Sequence, residues 1–212
     1  MKYINLMGKN FRELGTPDNG ELVTFTGSFN YFSYLTAAFR DLYPCWGSKF
    51  SIYYITKILG DDYYDWYLSS AFKQYLPGLF KHHSLRGSLA FEYQFAQNYL
   101  FPTRLQFVRG YRQQYYQLFG IGSLDYALPL CYPDLALGSL LYFKRLRANL
   151  FYDYGIGRNA DNNLYRSAGL ECYLDLKPLT LVYLELGMGI RYSYRIENKD
   201  SLIEFILADI LF

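Results

Sequence analysis

The chain lacks any apolar run approaching the roughly 20 residues that a membrane-spanning helix needs, so no helical span is predicted. Met1 to Gly15 holds no apolar core of the kind a secretory signal requires. Charge is nearly balanced, with a formal net value of +2, and this gives no argument for a nucleic-acid partner. Cysteine is scarce. Cys45, Cys131 and Cys172 form an odd set without short spacing, which fits neither a disulfide framework nor a zinc site. They read as small hydrophobes on strands and at turns.

Catalytic signatures are equally thin. The histidines, His82 and His83, are adjacent, and neighbours on a strand point to opposite faces. A shared metal is therefore awkward, and with Ser84 they do not assemble a nucleophile, base and orienting group on one face. They read as loop or strand-end residues. Gly155-Ile156-Gly157 and Gly187-Met188-Gly189 have no following helix, which a phosphate-binding loop requires. Glycines in strand patterns mark bends or close approaches instead. Asp61, Asp62 and Asp65, interleaved with Tyr63 and Tyr64, are calcium-capable residue types and read as a solvated loop. The expectation is no catalytic residue, no metal, no cofactor and no enzyme activity.

What the chain has in excess is aromatic residues: 25 Tyr and 17 Phe. Tyrosine suits a boundary where one end of the ring is wet and the other apolar, as at a membrane interface. Mean hydropathy is near zero, as expected when strands alternate lipid-facing and lumen-facing residues. The period-2 pattern is explicit. Leu140, Tyr142, Leu146, Ala148, Leu150, Tyr152 and Tyr154 share one face, while Arg145, Arg147, Asn149 and Asp153 share the other. Lys144 interrupts the apolar face and Phe151 the polar one. The run exceeds the roughly 9–11 residues of a tilted transmembrane strand. Leu89 to Phe95, Gly122 to Leu130, Ala168 to Leu176 and Val182 to Tyr192 alternate likewise. Each has one continuous apolar face and one small, polar or charged face, which points to a wet lumen.

Turn signals at Tyr43-Pro44-Cys45-Trp46-Gly47, Tyr132-Pro133-Asp134 and Lys177-Pro178 predict tight connections. Longer polar stretches at Gly60–Asp65, Asn98–Gln114, Gly157–Asn163 and Glu197–Ser201 predict loops at the opposite end. The expected fold is all-β: an antiparallel transmembrane β-barrel of about eight to ten strands, or a fragment of a larger one. Residues 1–20 read as an N-terminal loop or tail of a longer chain, because the sequence opens in polar, loop-like residues. Residues 21–212 read as the barrel. The chain closes on an apolar stretch ending in Phe212, which resembles the C-terminal signal read by outer-membrane assembly machinery.

Phe107-Val108-Arg109-Gly110-Tyr111, followed by Phe151-Tyr152-Asp153-Tyr154-Gly155, resembles the C-terminal barrel of the bacterial surface-antigen superfamily. That superfamily includes BamA-like assembly factors and two-partner secretion transporters. The resemblance implies a long extracellular loop folded into the lumen, its arginine (Arg109) meeting the aspartate of a Phe-x-Asp strand motif (Asp153). Gly110, Tyr111 and Phe151 would complete this loop lock. The family's preceding Gly-x-Phe stands here as Gly122-Ser123-Leu124. A second set, Asp41-Leu42-Tyr43-Pro44-Cys45-Trp46-Gly47, Tyr75-Leu76-Pro77-Gly78-Leu79 and His83-Ser84-Leu85, resembles the barrel that follows a TolB-like propeller in large envelope proteins. Together the two cover most of the chain from about Thr24 onward.

By alternation Arg145, Arg147, Arg191, Glu171 and Glu185 face the lumen. The arginines read as pairing with Glu92, Asp125, Glu171 and Glu185, the alternative being that they set anion selectivity. The functional expectation is an integral bacterial outer-membrane barrel acting in protein assembly, secretion or envelope organisation. Its partners would be outer-membrane lipids, the barrel assembly machinery and a client polypeptide. Two alternatives stand beside it: a barrel anchoring a periplasmic TolB-like propeller, and a soluble lipid-binding β-barrel with apolar faces turned inward.

Overall fold

The computed structural model describes residues 2–6, 20–35, 41–59, 65–95, 101–138, 140–159, 161–178 and 186–209. These residues contain no helix. They form one 11-stranded antiparallel sheet. The strands are β1 (Lys2–Leu6), β2 (Gly20–Tyr34), β3 (Gly47–Leu59), β4 (Trp66–Pro77), β5 (Ser84–Phe95), β6 (Leu118–Cys131), β7 (Leu135–Leu137), β8 (Leu141–Arg158), β9 (Asn162–Pro178), β10 (Leu186–Arg195) and β11 (Asp200–Asp209). Each pairs with its sequence neighbours, except that β6 pairs β8 directly and the short β7 pairs only β8. Among the described residues no pairing joins β1 to β11, so the expected all-β antiparallel sheet is present and its closure into a barrel is not. The stretch read as an N-terminal tail contains a strand, β1, hydrogen-bonded to the start of β2.

The expected alternation sets the two faces from Arg145 onward on β8, whereas Tyr142, expected on the face of Leu146, pairs with Lys177 and takes the other face because the register shifts between Phe143 and Arg145. On β8, Asn149, Phe151, Asp153, Gly155 and Gly157 are buried while Leu150, Tyr152, Tyr154 and Ile156 are exposed. Buried Glu92 and Gln94 alternate with exposed Phe91 and Phe95 on β5. The interruption at Lys144 has a backbone cause. Pairing with β9 runs Phe143↔Leu176 and then Arg145↔Asp175, so Lys144 is the extra residue of a β-bulge. Two consecutive residues, Lys144 and Arg145, are buried there, as a bulge permits by re-aiming side chains. A second shift sits between Pro129 and Cys131 on β6; proline lacks a ladder donor and belongs at such irregularities.

The meander places the connections after β2, β4, β6 and β9 at one end and those after β1, β3, β5, β8 and β10 at the other. Two expected long loops are short. Gly157–Asn163 contracts to a turn at Asn159–Asp161, and Glu197–Ser201 to a turn spanning 196–199 that includes Lys199 at φ 53°. The long connection after β5 folds back over the inner face. It reaches β3 where Arg104 stacks on Tyr53, with Cζ 3.4 Å from the ring centroid, and β10 where Gly110 meets Ser193. The sheet curves around it. Phe107, Val108 and Tyr116 of this loop join Phe119 in one buried cluster, and Phe101 joins Tyr67 and Ile55 in a second.

Candidate functional site

The site is the polar inner face where this loop meets β5, β6, β8, β9 and β10. Val108 through Tyr111 form its tip, with a turn closed by the Tyr111 N–H donating to the Val108 carbonyl. Gly110 adopts φ 82°, a left-handed conformation that glycine reaches without steric cost. A Cβ there would lie 2.7 Å from the Ser193 Cβ. On β8, glycines make the room. A Cβ on Gly155 would meet the Val108 side chain at 2.4 Å, and one on Gly157 would meet the Tyr116 ring at 2.4 Å. These are the close approaches expected of Gly155 and Gly157. Tyr111 donates to the Arg166 carbonyl at 3.2 Å and packs edge-on against Tyr165.

Arg109 sits at the centre. Its Nε and Nη2 donate to the two oxygens of Asp153 at 2.8 and 2.6 Å, and its backbone N–H donates to the same carboxylate at 3.1 Å. This is the bidentate fork that arginine makes with a carboxylate. The same guanidinium donates through Nη1 to Asp125 at 2.7 Å, lies 3.6 Å from Glu171, and stacks on Phe151 with Cζ 3.9 Å from the ring centroid. Phe151 thus has its reason for breaking the polar face of β8: it is the platform under Arg109. Burial alone would lower the Arg109 pKa, but the hydrogen bonds of Asp153 and the charges of Asp125, Asp153 and Glu171 hold it above its ordinary value. The group stays a cation at any physiological pH.

The network extends sideways. Arg86 donates to Asp125 at 3.0 Å. Asn149 donates from one amide nitrogen to both Asp125 and Glu171, each at 2.8 Å. Arg191 donates to Glu171 at 2.6 Å and lies 3.5 Å from Glu204. Arg145 and Arg147 do not take the partners expected of them. Both bind Asp175, at 2.5 and 3.1 Å. Glu92 instead accepts from Tyr67 at 2.9 Å and from Thr103 at 2.5 Å, tying the start of the loop to β4 and β5. Glu185 and Phe212 lie outside the described residues, as do Asp61, Asp62, Tyr63 and Tyr64.

Asp175 is the carboxylate that sequence reasoning missed. Counting outward from the turn at Asn159–Asp161 sets Arg145 opposite Asp175, so hairpin register was the usable signal. Asp175 is fully buried, with Arg145 and Arg147 buried beside it. Asp175→Asn removes the shared charge but keeps an acceptor oxygen, and Arg147 retains its contact with Tyr173, 4.2 Å from the ring centroid. The expected cost is about 1–3 kcal/mol, the range for weakening a buried hydrogen-bonded charge. A lowered urea-unfolding midpoint checks it; an unchanged midpoint contradicts it.

The histidines diverge as expected. His82 Nδ1 is 2.9 Å from Asp41 and His83 Nδ1 is 2.8 Å from the Tyr126 hydroxyl, both where β4 turns into β5. Among the described residues no group of His, Cys, Asp or Glu is arranged to hold a metal ion. The arrangement can anchor a loop, and it can present charge to an aqueous cavity. Comparison with protein-family models, curated proteins and solved structures gave no match.

Proposed function

We propose that this chain is the membrane-embedded β-barrel domain of a bacterial outer-membrane protein of the surface-antigen type, acting in outer-membrane protein assembly, secretion or envelope organisation without covalent chemistry. The observation that carries the reading is the inverted polarity of the sheet. Its inner face holds the buried carboxylates Asp125, Asp153, Glu171 and Asp175 together with the arginines that bind them, of which Arg145 and Arg147 are buried and Arg86, Arg109 and Arg191 half-buried. Its outer face leaves Leu89 65%, Ile190 56% and Phe205 67% exposed, in a band that runs from β2 to β11. Soluble monomers rarely expose apolar patches larger than a few hundred Å², whereas a lipid-facing band is the defining surface of a membrane barrel. The soluble lipid-binding alternative needs the opposite polarity.

Aromatic placement supports the same reading. Trp66, Tyr93, Tyr154 and Tyr194 lie on the outer face close to the strand ends where the long loop enters, and Trp66 packs on Tyr93 at 5.2 Å. Rings at that level match the interfacial girdle of a barrel. The surface-antigen assignment rests on Val108-Arg109-Gly110-Tyr111 meeting Phe151-Tyr152-Asp153 within one ion-paired cluster. Loop and ion pairs together fill much of the inner face, and this favours a second reading, a barrel that anchors a periplasmic propeller and conducts nothing. In both readings the partners are outer-membrane lipids and the barrel assembly machinery.

The test is heat-modifiability of the chain exported to the outer membrane and extracted in mild detergent. Faster gel migration of the unboiled sample is the expected result, because a sheet whose edges close into a hydrogen-bonded barrel in the membrane resists detergent unfolding. Recovery of the chain as a soluble periplasmic protein would overturn the proposal.

A further inference from the structure

Among the described residues, Arg86, Arg109 and Arg191 of the inner cavity are each held by a carboxylate, Arg104 stacks on Tyr53 without one, and two lysines on the same wall are also without one. Lys49 on β3 and Lys73 on β4 are direct cross-strand partners, and both line the same inner cavity. Directly opposed residues on one face have Cβ atoms roughly 5 Å apart, and like charges in that position destabilise a sheet. Lys73 in turn pairs with Ser88 on β5, which sets Arg86 diagonal to it, two residues along the strand. Arg86 is answered by Asp125, but Asp125 is already shared with Arg109 and Asn149. Among the described residues no carboxylate lies within ion-pair distance of Lys49 or Lys73.

The cavity they line has a volume of about 440 Å³, with six cationic and three acidic side chains on its wall. Its three carboxylates, Asp125, Asp153 and Glu171, are all engaged by Arg86, Arg109 or Arg191. The surplus positive charge is thus concentrated on the β3–β5 side, beside the free hydroxyl of Ser88. Ammonium groups are compact point charges with three donors each, and a guanidinium adds planar donors. Such a set suits a tetrahedral oxyanion.

We propose that this cavity binds a phosphate group carried by a small water-soluble solute, held by Lys49 and Lys73 with Arg86 as the third cation. The inference rests on the inner face of the sheet and not on membrane insertion, so it stands or falls separately from the function proposed above. The test is a calorimetric titration of the folded full chain with inorganic phosphate at constant ionic strength against chloride. Saturable binding is expected, weakened at least tenfold in Lys49→Gln/Lys73→Gln and retained in Lys73→Arg. The absence of saturable binding, or equal binding by the double variant, would overturn the proposal.

A folding defect in the double variant is separable from lost binding. At low salt without phosphate, relief of repulsion should leave the variant with a melting temperature at or above that of the parent. Added phosphate should raise the melting temperature of the parent alone. A variant less stable than its parent under these conditions would mean that the lysines are structural, and the proposal fails. Glycerol 3-phosphate should compete with inorganic phosphate, whereas vesicles containing phosphatidic acid should not. Competition by the vesicles would overturn the assignment to a soluble solute.

Discussion

Replacing Arg109 with alanine is expected to release the loop tip from the inner face and to cost about 3–5 kcal/mol, the usual penalty for removing one partner of a buried ion pair. Asp125 keeps Arg86 and Glu171 keeps Arg191. Asp153 has no such reserve: it is 1% exposed and its hydrogen bonds come from Arg109. The variant therefore strands a buried carboxylate and also strips the cation from the Phe151 ring. Trypsin cleavage after Arg112 should accelerate relative to the parent, and the unfolding midpoint should fall. Arg109→Lys should recover only part of the loss, because an ammonium cannot reproduce the two-oxygen fork. Unchanged proteolysis and stability in Arg109→Ala would refute the lock.

The second large effect is expected one strand away from that arginine. A Cβ on Gly169 would sit 2.0 Å from the Tyr192 carbonyl oxygen and 2.6 Å from the Phe151 ring. The first of these contacts is backbone of the adjacent strand β10 and has little freedom to yield. Overpacking a tight site costs typically 1–3 kcal/mol, and Gly169→Ala should fall at or beyond the upper end. Its effect should also reach the loop. The ring it displaces is the one on which Arg109 stacks, so Gly169→Ala and Arg109→Ala should be non-additive by roughly 0.5 kcal/mol or more in a double-mutant cycle. Gly87→Ala and Gly120→Ala are the controls. Neither Cβ would meet any atom within 4 Å, so both should change stability by less than about 0.5 kcal/mol. Full additivity would break the proposed link between Gly169, Phe151 and the loop.

Much of this architecture is legible in the chain because a strand writes its two environments on alternate residues. Leu150, Tyr152 and Tyr154 against Asn149 and Asp153 separate the two faces of the strand and mark its length, while which face turns inward is not written in the alternation. Even the break at Lys144 marked a real event, the bulge. Arg109 and Asp153 are brought together from positions separated by two strands; neither period nor spacing relates them, and only the resemblance of the two motifs did. Three things were hidden. The pairing of Arg145 and Arg147 with Asp175 depends on hairpin register, which requires the turn at Asn159–Asp161 to be known first. The fourfold engagement of Arg109 depends on sheet curvature, which brings β6, β8 and β9 around one side chain. The opposition of Lys49 and Lys73 depends on the register of β3 with β4, and in sequence these residues look like any two surface lysines. Local pattern encodes which face a residue takes; register and curvature decide which partner it meets there.

The central claim is that the apolar face meets lipid and the polar face meets water. The most direct measurement is fluorescence quenching of single-cysteine probes, in a variant whose native cysteines are replaced, reconstituted into bilayers. Probes at Leu150, Leu170 and Ile190 should be quenched by brominated acyl chains and shielded from iodide. A probe at Ser51, on the inner face beside the cavity, should show the reverse. Iodide quenching of the three outer probes at the level of an unfolded chain, with no effect of brominated lipid, would contradict the membrane-barrel account.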